Sequence, residues 1–309
     1  MTSEMADSAE YLVTGAGGGV GSVSRSVVKL LISAGASVRA MVHHDDARAE
    51  PLRAMGAHVV VGDLTHPEDV VAAMQGATRM FFNMSVSPSY LEATAIVCAA
   101  AREHGGIETI VNMSQMTVSQ MTLTSTAESR QQRSHWLAEH VMNWSGVPVT
   151  HVRPTVFLDN PLFTFLAAPS LRDRQVLALP FGAGRTSPIA ASDVARVVAT
   201  ILREPGRHTG RVYELTGPEI LTIDGLADQY ARALQRPISG TDVPYETWFD
   251  EVLVPLGLAP HTQQHIATMA RLHREDRYNR ATDDVETVTG TPAQTVEQYV
   301  ASHRELFFG

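Results

Sequence analysis

The 309-residue chain predicts an α/β fold built on a doubly wound parallel sheet, and three observations carry that prediction. Short apolar runs alternate with amphipathic stretches over residues 11–153, a pattern that calls for helical crossovers between parallel strands. The first run, Tyr11-Leu-Val-Thr14, passes straight into Gly15-Ala-Gly-Gly-Gly-Val-Gly21, and Val20, Val23, Val27, Leu30 and Leu31 follow at helical spacing. Strand, glycine turn and helix in that order open a Rossmann-like, dinucleotide-binding βαβ unit. From Thr222 onward the pattern is mostly helical, as expected of a small C-terminal lobe.

Each element has its own signal. In the glycine loop Gly15 permits the tight turn, Gly18 a close backbone approach to a pyrophosphate, and Gly21 close packing of helix on sheet. Thr14, Gly17, Gly19 and Val20 complete the loop, and the helix behind it offers unpaired N–H groups to phosphates. Ser37–Val42 reads as the second strand, 47–55 as a short helix and His58–Val61 as the third strand. Pro67 suits the first turn of a helix to Gln75. A fourth strand at 79–83 precedes an Ala-rich helix at 89–104, and Thr109–Met113, a helix at 129–145 and a strand at 148–153 follow. Residues 157–190 read as loop-rich, with a turn at 181–184. Ser192 or Asp193 is placed to cap a helix to Leu202, and 210–215 is a further strand. Thr291-Pro-Ala-Gln294 has the form of a capping box opening the last helix. The division expected is a Rossmann domain over 8–156 and a substrate-covering lobe over 157–309, with 188–216 returning to the Rossmann core.

Composition excludes several classes. Apolar residues at 44% and charged residues at 18% are those of a globular protein, and a net charge of −9 with no basic run argues against nucleic acid as a partner. No apolar run approaches the ~18 residues needed to cross a bilayer, and the polar N-terminus does not read as a signal peptide. The single cysteine, Cys98, reads as a buried structural thiol and fits a reducing cytoplasm. A small molecule is the expected partner, with a homodimer left open as the assembly.

The end of the second strand sets cofactor choice, because an acid there binds the ribose diol and repels a 2′-phosphate. That strand ends Met41-Val42-His43-His44, with no acid before Asp45. His43 can donate to a phosphate, which favours NADP and leaves NAD open; the other reading is two solvent-exposed loop histidines. Asp63 and Leu64, after the third strand, are expected at the adenine, and Asn83, Met84 and Ser85, after the fourth, beside the pyrophosphate and ribose.

Together Thr14-Gly-Ala-Gly-Gly-Gly-Val-Gly21, Val38-Arg-Ala-Met-Val42, Gly62-Asp63-Leu64, Ser145-Gly146, Val152-Arg-Pro154 and Asp193-Val-Ala195 resemble the NmrA-like branch of the atypical short-chain dehydrogenases/reductases. The resemblance runs from about residue 10 to 300. It implies a Rossmann core that holds NADP or NAD, with a small C-terminal lobe. The branch holds quinone oxidoreductases, a reductase of triphenylmethane dyes, NADP-sensing regulators without catalysis, and tailoring enzymes of aromatic polyketide pathways. The implied activity is therefore an NAD(P)H-dependent reductase of a planar conjugated molecule; a non-catalytic NADP sensor and a polyketide tailoring enzyme are the alternatives.

The chain departs from the wider superfamily at its Tyr-x-x-x-Lys pair, in which tyrosine passes a proton to the substrate oxygen. Of 24 basic residues Lys29 is the only lysine, it falls in the first helix, and no tyrosine occurs between Tyr90 and Tyr213. Aligned to the family pattern, His135 takes the place of a lysine common in the branch, and Ser114-Gln115-Met116 the place of the usual catalytic serine. The expected catalytic set is His135 as proton donor, with Ser114 or Gln115 holding a substrate oxygen. Thr155 and Phe157 are expected at the nicotinamide, and Met116, Asn160 and Phe163 at the substrate. A quinone or conjugated cation takes hydride into a delocalised π system and needs no positioned acid at that moment, whereas a simple ketone does. His261, His265 and His273 lack a patterned third ligand and read as helix-surface residues, so no metal is expected.

Overall fold

The computed structural model describes residues 10–18, 22–164 and 166–308. Gly19, Val20 and Gly21 of the glycine loop lie outside the described residues. Nine strands are seen among those described: β1 (Glu10–Val13), β2 (Ser37–Val42), β3 (His58–Val61), β4 (Ala77–Phe82), β5 (Thr109–Met113), β6 (Val149–Pro154), β7 (Val176–Leu179), β8 (Val212–Leu215) and β9 (Ser239–Asp242). Seven form one sheet in the order β3-β2-β1-β4-β5-β6-β8, and every pair from β3 across to β6 is parallel. The strand order reverses at β1, which pairs with β2 on one side and β4 on the other. Such a switch point opens a crevice at the strand C-termini. The class expected from the sequence, a Rossmann-like doubly wound sheet with a helical C-terminal region, is the class observed.

The chain divides into two compact units. One comprises 1–114, 134–152 and 194–213, the other 115–133, 153–193 and 214–309. In the first, a core of Leu12, Met41, Val70, Met80, Phe82, Val97, Ile110 and Met142 packs the sheet against the helices Pro67–Met74, Tyr90–His104 and Arg130–Ser145. Cys98 is buried there, and burial pushes its thiol pKa up. The second unit has its own core, with Phe163, Phe181, Leu226, Tyr230, Leu272 and Tyr299.

Several local expectations need correction. The first helix runs Val23–Ser33 and buries Val23, Val27, Val28 and Leu31, while Leu30 points to solvent. Residues 157–190 contain a helix, Ala168–Arg174, and β7, which pairs in parallel with β9 as a separate two-stranded sheet. Ser192 and Asp193 sit inside the first turn of the helix Ala191–Arg203, not ahead of it. The capping box of the C-terminal region is Thr295 with Gln298, one turn beyond the expected Thr291 and Gln294. His273 is not a surface residue: it is fully buried between the rings of Phe181 and Tyr278, each stacked 3.9 Å away and nearly parallel to it.

Candidate functional site

Strand β1 ends at Val13, and Thr14 turns the chain into the glycine loop within a network of side-chain hydrogen bonds. Thr14 Oγ1 donates to the Asn83 carbonyl at 2.8 Å and accepts from the Asn83 amide at 3.0 Å. Asn83 Nδ2 donates to Ser24 Oγ at 2.9 Å, and Ser24 Oγ donates to the Thr14 carbonyl at 2.8 Å. This clasp ties the C-terminal ends of β1 and β4 to the first turn of the first helix. Ser24 is a supporting residue that sequence reasoning missed, because nothing in a helical Ser-Arg-Ser separates a buried serine from an exposed one.

Gly15 is required by geometry. Its φ is +67°, and a Cβ there would stand 2.7 Å from the Asn83 carbonyl oxygen. A Cβ on Gly18 would stand 2.9 Å from the Gly15 oxygen. The bare backbone that results borders a cavity of about 440 Å³ at the ends of β1 to β4. Of the residues expected at the cofactor, Thr14, Gly15, Gly17, Gly18, His43, Asp63, Leu64, Asn83, Met84 and Ser85 all line it. Its size suits a small-ligand subsite, and a glycine backbone with hydroxyl and amide groups fits a pyrophosphate and ribose.

The charged groups at one end of the cavity are paired. Asp63 accepts from the Thr65 amide and Thr65 Oγ1, both at 2.8 Å, and these bonds hold its carboxyl pKa down. His43, expected to meet a phosphate, stands with Nε2 3.2 Å from Asp63 Oδ2 and stacks on His44 at 4.1 Å. Arg48 also lines the cavity and was not foreseen, since it lies beyond the strand end where cofactor choice is usually read. Asp45 and Asp46 each face an arginine: Asp45 meets Arg53 at 2.7 Å, and Asp46 takes Arg48 Nε at 2.9 and 3.0 Å. No group of acidic, histidine and cysteine side chains among the described residues is arranged to hold a metal ion.

Ser114 and His135 belong to the same unit. Ser114 follows β5, its amide donates to the Val152 carbonyl at 2.8 Å, and its buried Oγ has no hydrogen-bond partner. His135 lies in the second turn of the helix Arg130–Ser145, half-buried, with its ring 4.2 Å from that of Tyr90. Tyr90 cannot stand in for the superfamily acid. Its ring is fully buried, its hydroxyl donates to the Met113 carbonyl at 2.9 Å, and burial drives its pKa up.

The remaining expected residues lie in the second unit. Thr155 is buried, with its amide on the Leu215 carbonyl at 2.9 Å and its Oγ1 unpartnered; Gln115 Nε2 is likewise buried without a partner. Asn160 closes a turn, accepting from the Leu162 amide at 3.0 Å, and its own amide donates to the Phe157 carbonyl. Met116 and Phe163 stand in the apolar core, where the Phe163 ring meets Phe181 edge-on at 5.8 Å.

A family model described as NAD(P)H-binding matches residues 18–205, more than half of the chain. The chain belongs to the NAD(P)H-binding family. It is 27% identical to an NAD(P)H azoreductase of Xenophilus azovorans over 292 residues, covering 94% of this chain and 97% of that protein. Its fold matches an NADPH-dependent quinone oxidoreductase of Escherichia coli solved with NADPH, at a TM-score of 0.80 and 21% identity, over 94% of this chain and 99% of that one. It also matches NmrA, a negative transcriptional regulator solved with NADP, at a TM-score of 0.76 and 19% identity, over 96% and 95% of the two chains. The fold is thus that of the NmrA-like atypical reductases, and the cofactor class is a nicotinamide dinucleotide.

Proposed function

We propose that the chain is an NAD(P)H-dependent oxidoreductase that passes a hydride to a planar conjugated small molecule, such as a quinone or an azo dye. The observation that carries this reading is the glycine cradle closed against the Asn83 carbonyl, in a chain whose fold family binds NAD(P)H. The NAD(P)H azoreductase that aligns along nearly the whole length supports the choice of acceptor.

Bound NAD(P)H supplies the hydride. Gly15, Gly17 and Gly18 leave the backbone open to the pyrophosphate, and Asp63 and Leu64 hold the adenosine end. Val42 leaves no acid to repel a 2′-phosphate, and Arg48 with His43 gives that phosphate basic partners, so NADPH is preferred over NADH. The unpartnered Thr155 hydroxyl, with Phe157 nearby in sequence, serves the nicotinamide amide. Ser114 Oγ and Gln115 Nε2 are buried donors with nothing to donate to, and each can hold an acceptor oxygen or nitrogen. His135 gives the proton after electron density has spread through the acceptor.

A second reading, a cofactor sensor without turnover, is favoured by one observation: Tyr90, whose ring stands against that of His135, has its hydroxyl committed to a backbone carbonyl. The two readings separate in one assay. NADPH is incubated with the protein and a panel of quinones, azo dyes and cationic triphenylmethane dyes, and loss of nicotinamide absorbance is followed. Turnover with at least one acceptor is expected. Absence of turnover with all of them, together with tighter binding of NADP⁺ than of NADPH, establishes the sensor.

A further inference from the structure

Preference for a phosphorylated cofactor rests on the Arg48 guanidinium, and that group is already held by a carboxylate. Arg48 Nε lies 2.9 and 3.0 Å from the two oxygens of Asp46, so the face of the guanidinium suited to a phosphate is engaged side-on. The Arg48 amide donates to the same carboxylate at 2.9 Å, which fixes Asp46 to the loop independently of the side chain. Asp46 itself does not line the cavity, whereas Arg48 does. The other acid of this loop, Asp45, is committed to Arg53, which Glu50 also holds at 2.8 Å. Arg48 and Arg53 thus differ in one respect: only Arg48 faces the cavity.

We propose that Asp46 is an intramolecular competitor for the 2′-phosphate of NADP(H), occupying Arg48 in the free protein and yielding it on binding, so that it sets how strongly NADP(H) is preferred over NAD(H). The proposal rests on the reading that Arg48 meets the 2′-phosphate. Both members of the pair are exposed to solvent, and an exposed pair is weak enough for a phosphate dianion to displace. Arg48 draws the Asp46 carboxyl down to about 2, so the competitor is charged throughout the neutral range.

Titration calorimetry of the full chain with NADP⁺ and NAD⁺ tests this. Asp46→Asn is expected to tighten NADP⁺ by about two- to fivefold and to change NAD⁺ by less than about twofold. Arg48→Gln is expected to weaken NADP⁺ by roughly tenfold or more and to leave NAD⁺ alone. In the Arg48→Gln background, Asp46→Asn then loses its effect, because the carboxylate acts through the guanidinium and not by charge at a distance. Asp45→Asn, which removes an equal charge one residue away, reads the distance effect directly and should move NADP⁺ less than twofold. If Arg48→Gln weakens NADP⁺ but Asp46→Asn changes nothing, or acts equally on both cofactors, the competitor is refuted. If Arg48→Gln is itself silent, the phosphate assignment beneath it fails.

Discussion

At the scale of single residues, Gly15 carries the site. Its positive φ and the 2.7 Å approach of the Asn83 oxygen mean that even one methyl group forces the loop and β4 apart. Gly15→Ala should lower affinity for NADP⁺ by at least about tenfold and melt a few degrees below the parent, read by calorimetry and thermal unfolding. His273 gives a pH-dependent counterpart. Burial between Phe181 and Tyr278 pushes its pKa down to about 3, from 6.5 in the free side chain. The folded state therefore resists a proton that the unfolded chain accepts. The stability this confers is complete above pH 6.5 and is lost as pH falls from there toward 3, by up to about 1.4 kcal/mol per pH unit. Urea unfolding at pH 7 and pH 5 should show His273→Phe losing less stability on acidification than the parent, by about 2 kcal/mol. Equal losses would mean that His273 is already protonated or already exposed. Gly15 was legible in the sequence because only a strand, a turn and a helix give a glycine run that context. His273 was not, because periodicity shows which residues share a helix face but not what packs on that face.

At the scale of elements, capping decides where helices start. Ser129 and Gln132 form a reciprocal pair, at 3.1 and 2.8 Å, ahead of the helix Arg130–Ser145. Thr295 and Gln298 do the same for Val296–Ser302, at 3.1 and 2.9 Å. The sequence offers Thr-x-x-Gln twice in succession, at 291–294 and 295–298, and the first copy reads equally well. Tertiary contacts choose the second: the Gln294 amide donates to Asp193 Oδ2 at 2.7 Å, and Thr291 is turned back onto Thr289, so that segment is spent before a helix can begin. Thr295→Ala should cost about 1 kcal/mol and Thr291→Ala much less, compared by thermal unfolding. A larger loss from Thr291→Ala would reverse the assignment. β2, β3 and β5 were readable to the residue because each is an apolar run bounded by polar turns. β7 and β9 were not, since Ser239-Gly-Thr-Asp242 has no apolar alternation and exists as a strand only through its partner.

At the scale of the whole molecule, the reversal of strand order at β1, the cavity at the strand ends and the match over residues 18–205 all point to one ligand class, which the glycine loop had already indicated. What the chain does with that ligand is constrained by what it lacks. Its one lysine, Lys29, sits in the first helix, and Tyr90 is held by burial and by its bond to Met113, so the proposed reading does without the superfamily's tyrosine–lysine relay. A positioned acid is worth roughly 10²–10⁴ in rate for an acceptor that builds up alkoxide charge, and far less where the charge spreads through a conjugated system. Acceptor class is therefore the property that follows most directly from the residues. The decisive measurement is kcat/KM for NADPH oxidation with a quinone beside a simple ketone of similar size, with Gly18→Asp as the control that cannot hold the cofactor. The quinone should be reduced and the ketone at least about a hundredfold more slowly, with both rates abolished in Gly18→Asp. Comparable rates for quinone and ketone would contradict the account, because they would require an acid positioned on the acceptor oxygen during hydride transfer, whereas His135 gives its proton only after the charge has spread.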